Sequence, residues 1–214
     1  MVYQHIIFDL DGTLVDSASE IHESAAYVCA EHGLQIPSQE YIRQATGSPP
    51  VQFFLDHGCE PVQAEALVPI FRQRLAERAG NPDRVYEDVE QVLSLLYHRG
   101  MRISLATAKP TGLASLLLTR YGLSSFFSHI QGTDPPLRHK PHPDIIKACI
   151  SHAPNLKALM VGDTCYDIEA ASQAGIDSVG ITLGAHGEER LSELEPTFII
   201  DRMNELMLVL GIEK

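Results

Sequence analysis

The second half of the chain alternates between amphipathic and short apolar segments, and this alternation restricts the fold more than any other feature. Val89 to Arg99 has the pattern of an amphipathic helix that stops at Gly100, and Met101 to Ala106 that of a strand. The same order continues through helix 110–120, strand 128–132, helix 143–152, strand 158–161, helix 166–174, and strands 178–182 and 197–200. Such alternation predicts βαβ units, a parallel sheet and helices on both of its faces.

Two other segments complete the predicted organisation. Residues Tyr3 to Phe8 are β-branched and aromatic, which indicates a first buried strand that joins the same sheet. The segment from Ser17 to Gly80 contains four candidate helices and no convincing strand, and Ser17 and Glu20 have the spacing of a capping box. We therefore predict an α/β fold, with a Rossmann-like parallel sheet core in residues 1–15 and 82–214 and an inserted all-helical cap in residues 16–81.

Composition excludes several classes of function. A net charge of −12 argues against nucleic-acid binding, because a phosphate backbone requires a basic surface. The four cysteines show no metal-binding spacing, which fits a reducing compartment. No apolar stretch approaches the ~20 residues of a membrane span, and a first strand at Tyr3 leaves no room for a signal peptide. We expect a cytoplasmic protein without nucleic-acid or membrane partners.

An acidic pair, Asp9 and Asp11, follows the first predicted strand directly. Ligands of open parallel sheets bind beyond the carboxyl ends of the strands, which is where this pair lies. Two crowded carboxylates repel each other unless a cation or a shared proton offsets their charge. The pair therefore indicates a metal site and a candidate nucleophile, although an acidic turn after a strand is the alternative interpretation.

Further polar clusters follow later strands. Thr107, Ala108 and Lys109 end the second core strand, where a hydroxyl, backbone N–H groups and an ammonium suit a phosphate group. Lys140 is followed by Pro141 in a proline-rich segment, so its backbone is restrained. An N-cap threonine with a solvated lysine, and a plain loop lysine, are the respective alternatives.

The last cluster is Gly162-Asp163-x-x-x-Asp167. An apolar strand delivers Asp163 to its end, and Asp167 follows four residues later on the first turn of a helix. The two carboxylates can therefore face one site. An acidic helix start, which the helix dipole favours, is the alternative interpretation of Asp167.

Taken in order, these clusters resemble the four signature motifs of the haloacid dehalogenase superfamily. The motifs are Asp9-x-Asp11-Gly12-Thr13, Thr107, Lys140 and Gly162-Asp163-x-x-x-Asp167. The helical insertion after the first motif is similar to the cap of the phosphoglycolate-phosphatase-like branch. Ala108 stands where the family usually has Asn, and Glu87-Asp88 where Pro-Gly is common.

The resemblance implies a catalytic role for five residues. Asp9 is the nucleophile that forms an aspartyl-phosphate, and Asp11 is the general acid–base. Thr107 and the backbone N–H of Ala108 bind the phosphoryl group, while Lys140 steadies the nucleophile and the phosphate charge.

The resemblance also implies a cofactor, Mg²⁺. Asp163 binds it together with Asp9 and the main-chain carbonyl of Asp11, and Asp167 supports that site. Oxygen ligands of this kind are those that Mg²⁺ prefers.

The implied activity is Mg²⁺-dependent hydrolysis of a small phosphorylated metabolite, with 2-phosphoglycolate and nucleoside monophosphates as candidates. A sugar-phosphate mutase and a non-catalytic phospho-acceptor domain are the alternatives. Thr13 favours hydrolysis, because mutases of this branch often carry Val there, and a cap has no use in a phospho-acceptor. We expect a monomer or a homodimer.

Specificity is expected to depend on the cap. Arg43 and the turn Thr46-Gly47-Ser48 are candidate readers of a second anionic group on the substrate, with an ordinary helix end as the alternative. Arg72, Arg74 and Arg78 are interpreted as a solvated helix face.

Overall fold

The computed structural model describes residues 3–212 and is built around a six-stranded sheet. Its strands are β1 (His5–Phe8), β2 (Arg102–Ala106), β3 (His129–Gln131), β4 (Ala158–Gly162), β5 (Asp177–Ile181) and β6 (Phe198–Ile200). Their order is β3-β2-β1-β4-β5-β6, and all neighbouring strands are parallel. The predicted parallel α/β fold is confirmed.

Helices occupy both the segment after β1 and the connections between strands. They are α1 (Ala18–Glu31), α2 (Gln39–Ala45), α3 (Pro50–Leu55), α4 (Pro61–Arg78), α5 (Val89–His98), α6 (Thr111–Arg120), α7 (Asp144–Ser151), α8 (Cys165–Ala174), α9 (Glu188–Ser192) and α10 (Leu206–Val209). We call α1 to α4 the helical insertion, because they separate β1 from the rest of the sheet in the sequence. Among residues 3–212, no helix is long and apolar enough to cross a membrane.

Helices cover the two faces of the sheet. Side chains alternate along a strand, so Ile6 and Phe8 lie in one apolar core, which includes residues of α5 and α6. Ile7 lies in the other, which α7 and α8 complete. Because both faces are covered, β1 is buried along its whole length and consists of an almost continuous apolar run.

The sheet places three of the predicted motifs at one edge. Strand β1 lies between β2 and β4, so the strand order reverses beside it. Asp9, Thr107 and Asp163 are the residues that directly follow β1, β2 and β4. Because these strands are parallel, their carboxyl ends form the crevice in which open α/β sheets bind ligands.

The predicted capping box at the start of α1 is wrong. Ser17 has helical dihedral angles, φ −91° and ψ −2°, and its hydroxyl donates to Asp11 Oδ1 at 2.5 Å. The Glu20 carboxylate accepts hydrogen bonds from the backbone N–H of Gly80 at 3.1 Å and from the hydroxyl of Tyr121 at 2.8 Å. Contacts outside α1 therefore use both groups, and Glu20 ties α1 to the end of the insertion.

Candidate active site

Asp9 is a buried carboxylate at the end of β1, with 2% of its surface exposed. Its backbone N–H donates to the carbonyl of Val161 at 2.9 Å, which continues the pairing of β1 with β4. Its Oδ1 lies 2.8 Å from Nζ of Lys140 and accepts no well-directed hydrogen bond. Asp9 is therefore held in place by its strand while its carboxylate keeps unused acceptor capacity.

Lys140 is the buried counter-ion of this site. Its Nζ donates to Asp167 Oδ1 at 2.5 Å and to the carbonyl of Ala106 at 3.1 Å. Burial alone would lower the pKa of its ammonium, but the carboxylates of Asp167 and Asp9 hold that pKa above its ordinary value. The predicted restrained lysine is thus a fully buried cation and not a loop residue in solvent.

Three buried carboxylates, those of Asp9, Asp163 and Asp167, form one cluster. Each offers an oxygen atom, and these atoms all lie within 4.8 Å of one another. One ammonium faces three carboxylates, so the charges balance only if a divalent cation or protons are added. Burial raises the pKa of Asp9 to about 7 and that of Asp163 well above its usual range. The donor set, oxygen only and excess negative charge, fits Mg²⁺.

Asp163 is oriented by the loops around it. Its Oδ1 accepts a hydrogen bond from the hydroxyl of Thr13 at 2.8 Å, and its Oδ2 accepts one from the N–H of Ala185 at 2.8 Å. A Cβ atom at Gly12 would lie 2.1 Å from Oδ2, and one at Gly184 would lie 2.0 Å from it. Glycine is therefore required at both positions. The loop at Gly184, which the sequence suggests as a simple turn or as a rim of the site, contacts Asp163 directly.

Asp167 both caps a helix and faces the carboxylate cluster. Its Oδ2 accepts from the N–H and the hydroxyl of Thr164, at 3.0 and 2.7 Å, in a capping box at the start of α8. Its Oδ1 accepts from Lys140. The two interpretations of this residue, an acidic helix start and a site carboxylate, are therefore both correct geometrically.

Asp11 is separate from the carboxylate cluster. Its Oδ1 accepts a hydrogen bond from the hydroxyl of Ser17, and its Oδ2 forms an ion pair with the ammonium of Lys109. The side chains of Asp11 and Lys109 are each about 10% exposed. Lys109 therefore neutralises Asp11, which leaves Lys140 to the cluster.

A cavity of about 520 Å³, part of it open to solvent, lies between the sheet and the helical insertion. Its sheet-side lining is Asp9, Asp11, Thr107, Ala108, Lys109, Pro110 and Leu113. The insertion contributes Ile21, Thr46, Gly47, Ser48, Pro50, Phe53, Phe71, Arg72 and Leu75. The cavity therefore has a polar end beside Asp9 and mainly apolar walls under the insertion.

Comparison with known proteins decides the family. A profile described as haloacid dehalogenase-like hydrolase matches residues 6–181, which include Asp9, Thr107, Lys140, Asp163 and Asp167. The chain belongs to the haloacid dehalogenase-like hydrolase family.

Relatives of this haloacid dehalogenase-like hydrolase are named as phosphatases. A probable phosphatase IndB of Dickeya dadantii is 34% identical over 94% of this chain and 91% of its own. A phosphoglycolate phosphatase of Salmonella typhi is 31% identical over 97% of this chain and 92% of its own. A putative pyrophosphatase PpaX of Caldanaerobacter subterraneus is 30% identical over 96% of this chain and 93% of its own. A haloacid dehalogenase-like hydrolase of Streptococcus pneumoniae superposes with a TM-score of 0.87 at 27% identity, over 98% and 99%. The chain is a phosphatase of this family.

The haloacid dehalogenase-like site contains most, but not all, of the predicted residues. Thr107 is 1% exposed and lines the cavity with Ala108. Arg43 does not line it, and instead borders a second cleft whose lining includes Gly12, Thr46 and Gly184. The structure therefore does not bring Arg43 to Asp9, and its role in substrate binding stays a prediction.

Arg72 was predicted to belong to a solvated helix face, but the structure places it elsewhere. It lines the cavity of this hydrolase, and its Nε is buried without a hydrogen-bond partner. The sequence feature that could have indicated this position is the neighbouring residue Phe71. It belongs to the buried stripe of α4 together with Leu67 and Leu75. A residue beside such a stripe lies at the edge of a helix's buried face, where a long side chain can reach a cavity.

Proposed function

We propose that this hydrolase is a Mg²⁺-dependent phosphomonoesterase that transfers a phosphoryl group first to Asp9 and then to water. The observation that carries the proposal is the buried carboxylate of Asp9, which borders the cavity, contacts Lys140 and belongs to the three-carboxylate cluster. The substrate is a small phosphorylated metabolite. Relatives are named for phosphoglycolate and pyrophosphate, which are small phosphate compounds with a second anionic group.

In the first step, a carboxylate oxygen of Asp9 attacks phosphorus and the bond to the leaving oxygen breaks. Asp11 gives its proton to that oxygen, so the product leaves as an alcohol. This requires Asp11 to leave its contacts with Lys109 and Ser17 and to carry a proton. The charge that develops on the phosphoryl oxygens is stabilised by Lys140, Thr107 and the backbone N–H of Ala108.

In the second step, water attacks the aspartyl-phosphate of Asp9. Asp11 takes the proton of that water, the bond from phosphorus to Asp9 breaks, and inorganic phosphate forms. The free carboxylate of Asp9 and the protonated Asp11 are thereby restored for the next turnover.

The metal is assigned to Asp9, Asp163 and the main-chain carbonyl of Asp11, with Asp167 in support. When bound, Mg²⁺ supplies positive charge that stabilises the transferring phosphoryl group. Excess negative charge in the cluster and the hydrogen bonds that hold Asp163 support this assignment. We also propose that residues 1–15 and 82–214 form a core domain and residues 16–81 a cap domain.

A panel of phosphorylated metabolites, assayed for phosphate release with Mg²⁺ and with excess chelator, tests the function. We expect release from at least one small phosphomonoester with Mg²⁺ and none with chelator. Full activity in chelator would reject the metal assignment, and absence of release from the whole panel would reject the proposed phosphomonoesterase activity.

A further inference from the structure

Arg72 is the one charged side chain among the residues of the insertion that line the cavity beside Asp9. It lies on α4, next to Phe71 and one turn before Leu75, whose side chains also line the cavity. A cation in this position faces the part of a substrate that does not react.

The guanidinium of Arg72 lacks a direct partner. Its Nε is buried without a hydrogen bond, and none of the ion pairs among residues 3–212 includes it. Burial lowers the pKa of Arg72, whereas Asp134 and, to a smaller extent, Glu65 raise it. Asp134 already accepts hydrogen bonds from the backbone N–H and the hydroxyl of Thr111 through one oxygen. A guanidinium with a buried and unpaired Nε is destabilised, and an anion that binds there offsets this cost.

The remaining lining of the insertion offers few free polar groups. The hydroxyl of Thr46 donates to the carbonyl of Ile42 at 2.9 Å, and that of Ser48 donates to the carbonyl of Ala45 at 2.5 Å. The other side chains there are apolar. A sugar rich in hydroxyl groups would leave hydrogen bonds unsatisfied against this wall, whereas a compact group with one anionic end would not.

We propose that Arg72 determines specificity by binding a second anionic group, a carboxylate or a phosphate, on the non-reacting end of a small substrate. This inference rests on the phosphomonoesterase function proposed above and narrows its substrate class. The planar guanidinium can hold either group through paired N–H donors.

Three phosphate compounds and two matched variants test the proposal. The compounds are 2-phosphoglycolate, pyrophosphate, and ethyl phosphate, which has two carbons and no second anion. The variants are Arg72→Met and Arg74→Met. Arg74 is the control because it lies on the same helix, 4.1 Å over the ring of Tyr27, beside Glu77 and outside the cavity lining.

We expect Arg72→Met to lower kcat/KM for whichever of 2-phosphoglycolate and pyrophosphate the enzyme prefers by about 10- to 100-fold, the scale of a lost charged hydrogen bond, and that for ethyl phosphate by less than about threefold. Arg72→Lys should recover part of the loss, and Arg74→Met should change none of the three. A larger loss of kcat/KM on 2-phosphoglycolate would show that Arg72 binds a carboxylate. A larger loss on pyrophosphate would show that it binds a phosphate.

Equal losses on all three compounds would overturn the proposal, because Arg72 would then support only the fold, and so would the absence of any loss. If the wild type hydrolyses none of them, the proposed phosphomonoesterase function is judged separately by the metabolite panel described above. Calorimetric binding of 2-phosphoglycolate and of pyrophosphate to the wild type and to Arg72→Met then decides the role of Arg72. Equal affinities of the two proteins for both compounds would overturn it.

Discussion

Asp9 illustrates how one residue is subject to two opposing requirements. A nucleophile must be ionised, yet full burial raises the pKa of this carboxyl to about 7. Lys140 lowers that pKa, while Asp167 and Asp11 raise it further. At neutral pH a cation that joins the cluster therefore favours the ionised form, which couples metal binding to the charge of Asp9.

This coupling predicts how the stability of the metal-free protein depends on pH. A carboxyl with a folded pKa near 7 and an unfolded pKa near 3.9 keeps its proton only in the folded state between those values. The stabilisation that results from this raised pKa is thus present at low pH, declines as pH rises from about 4 to 7, and is lost above 7. We expect Asp9→Asn, measured by urea unfolding in chelator, to be more stable than the wild type at pH 8.

The advantage of Asp9→Asn should shrink as the pH falls towards 4. An advantage that is constant from pH 5 to pH 8 would contradict the assigned pKa of Asp9. Adding Mg²⁺ should stabilise the wild type more than the variant, since only the wild type keeps all three carboxylates.

The sequence indicated which acids and which lysine lie together, but not the positions that depend on packing. The acids of the cluster and Lys140 could be singled out because their motifs occur in the order of a known family, although each motif alone has a structural explanation. Asp88 could not be explained from sequence, but the structure gives it a positive φ of 68°, where glycine is common, and its carboxylate accepts a hydrogen bond from Asn204 at 2.6 Å. Arg72 could not be assigned to the cavity, because its surroundings depend on where α4 packs.

At the level of elements, α8 connects local helix formation to the site. Its capping box uses Asp167, whose other oxygen faces Lys140 and the carboxylate cluster. The strands β1 and β4 were predictable from their apolar runs, and α8 from its start signal. The short helices α9 and α10 were not, because five and four residues are too few to show a periodic pattern.

We predict that Thr164→Ala affects both stability and metal binding. Loss of an N-cap hydroxyl costs about 1 kcal/mol of unfolding free energy, and Asp167 loses a partner that orients it. Outer partners of metal ligands typically contribute 10- to 100-fold to affinity, so the Mg²⁺ concentration for half-maximal activity should rise by about tenfold or more.

The matched control is Ser38→Ala. Ser38 caps α2 by accepting a hydrogen bond from the N–H of Tyr41 at 3.0 Å, outside the lining of the cavity. The Ser38→Ala variant should lose about as much stability as Thr164→Ala and keep the Mg²⁺ requirement of the wild type. An unchanged Mg²⁺ requirement in Thr164→Ala would show that the cap serves only the helix.

At the level of the whole molecule, the site combines segments that are far apart in the sequence. Parallel topology brings the ends of β1, β2 and β4 to one edge. The alternation of strands and helices in the sequence was enough to predict that topology. The wall formed by the insertion could not, since it depends on long-range contacts such as Arg120 donating to the carbonyl of Ala79 at 2.8 Å. The residues proposed to act on the phosphoryl group could therefore be predicted from the sequence more readily than those that face the rest of the substrate.

The central claim is that Asp9 receives the phosphoryl group. The most direct measurement is an acid quench during turnover with Mg²⁺, followed by borohydride reduction and peptide mass spectrometry. Borohydride reduces an aspartyl-phosphate to homoserine, so we expect homoserine at position 9 in the wild type. Asp9→Asn should give no such product and should turn over far more slowly than the wild type. Homoserine at another aspartate, or Asp9→Asn with a tenth or more of wild-type kcat, a barrier change of only about 1.4 kcal/mol, would contradict the account.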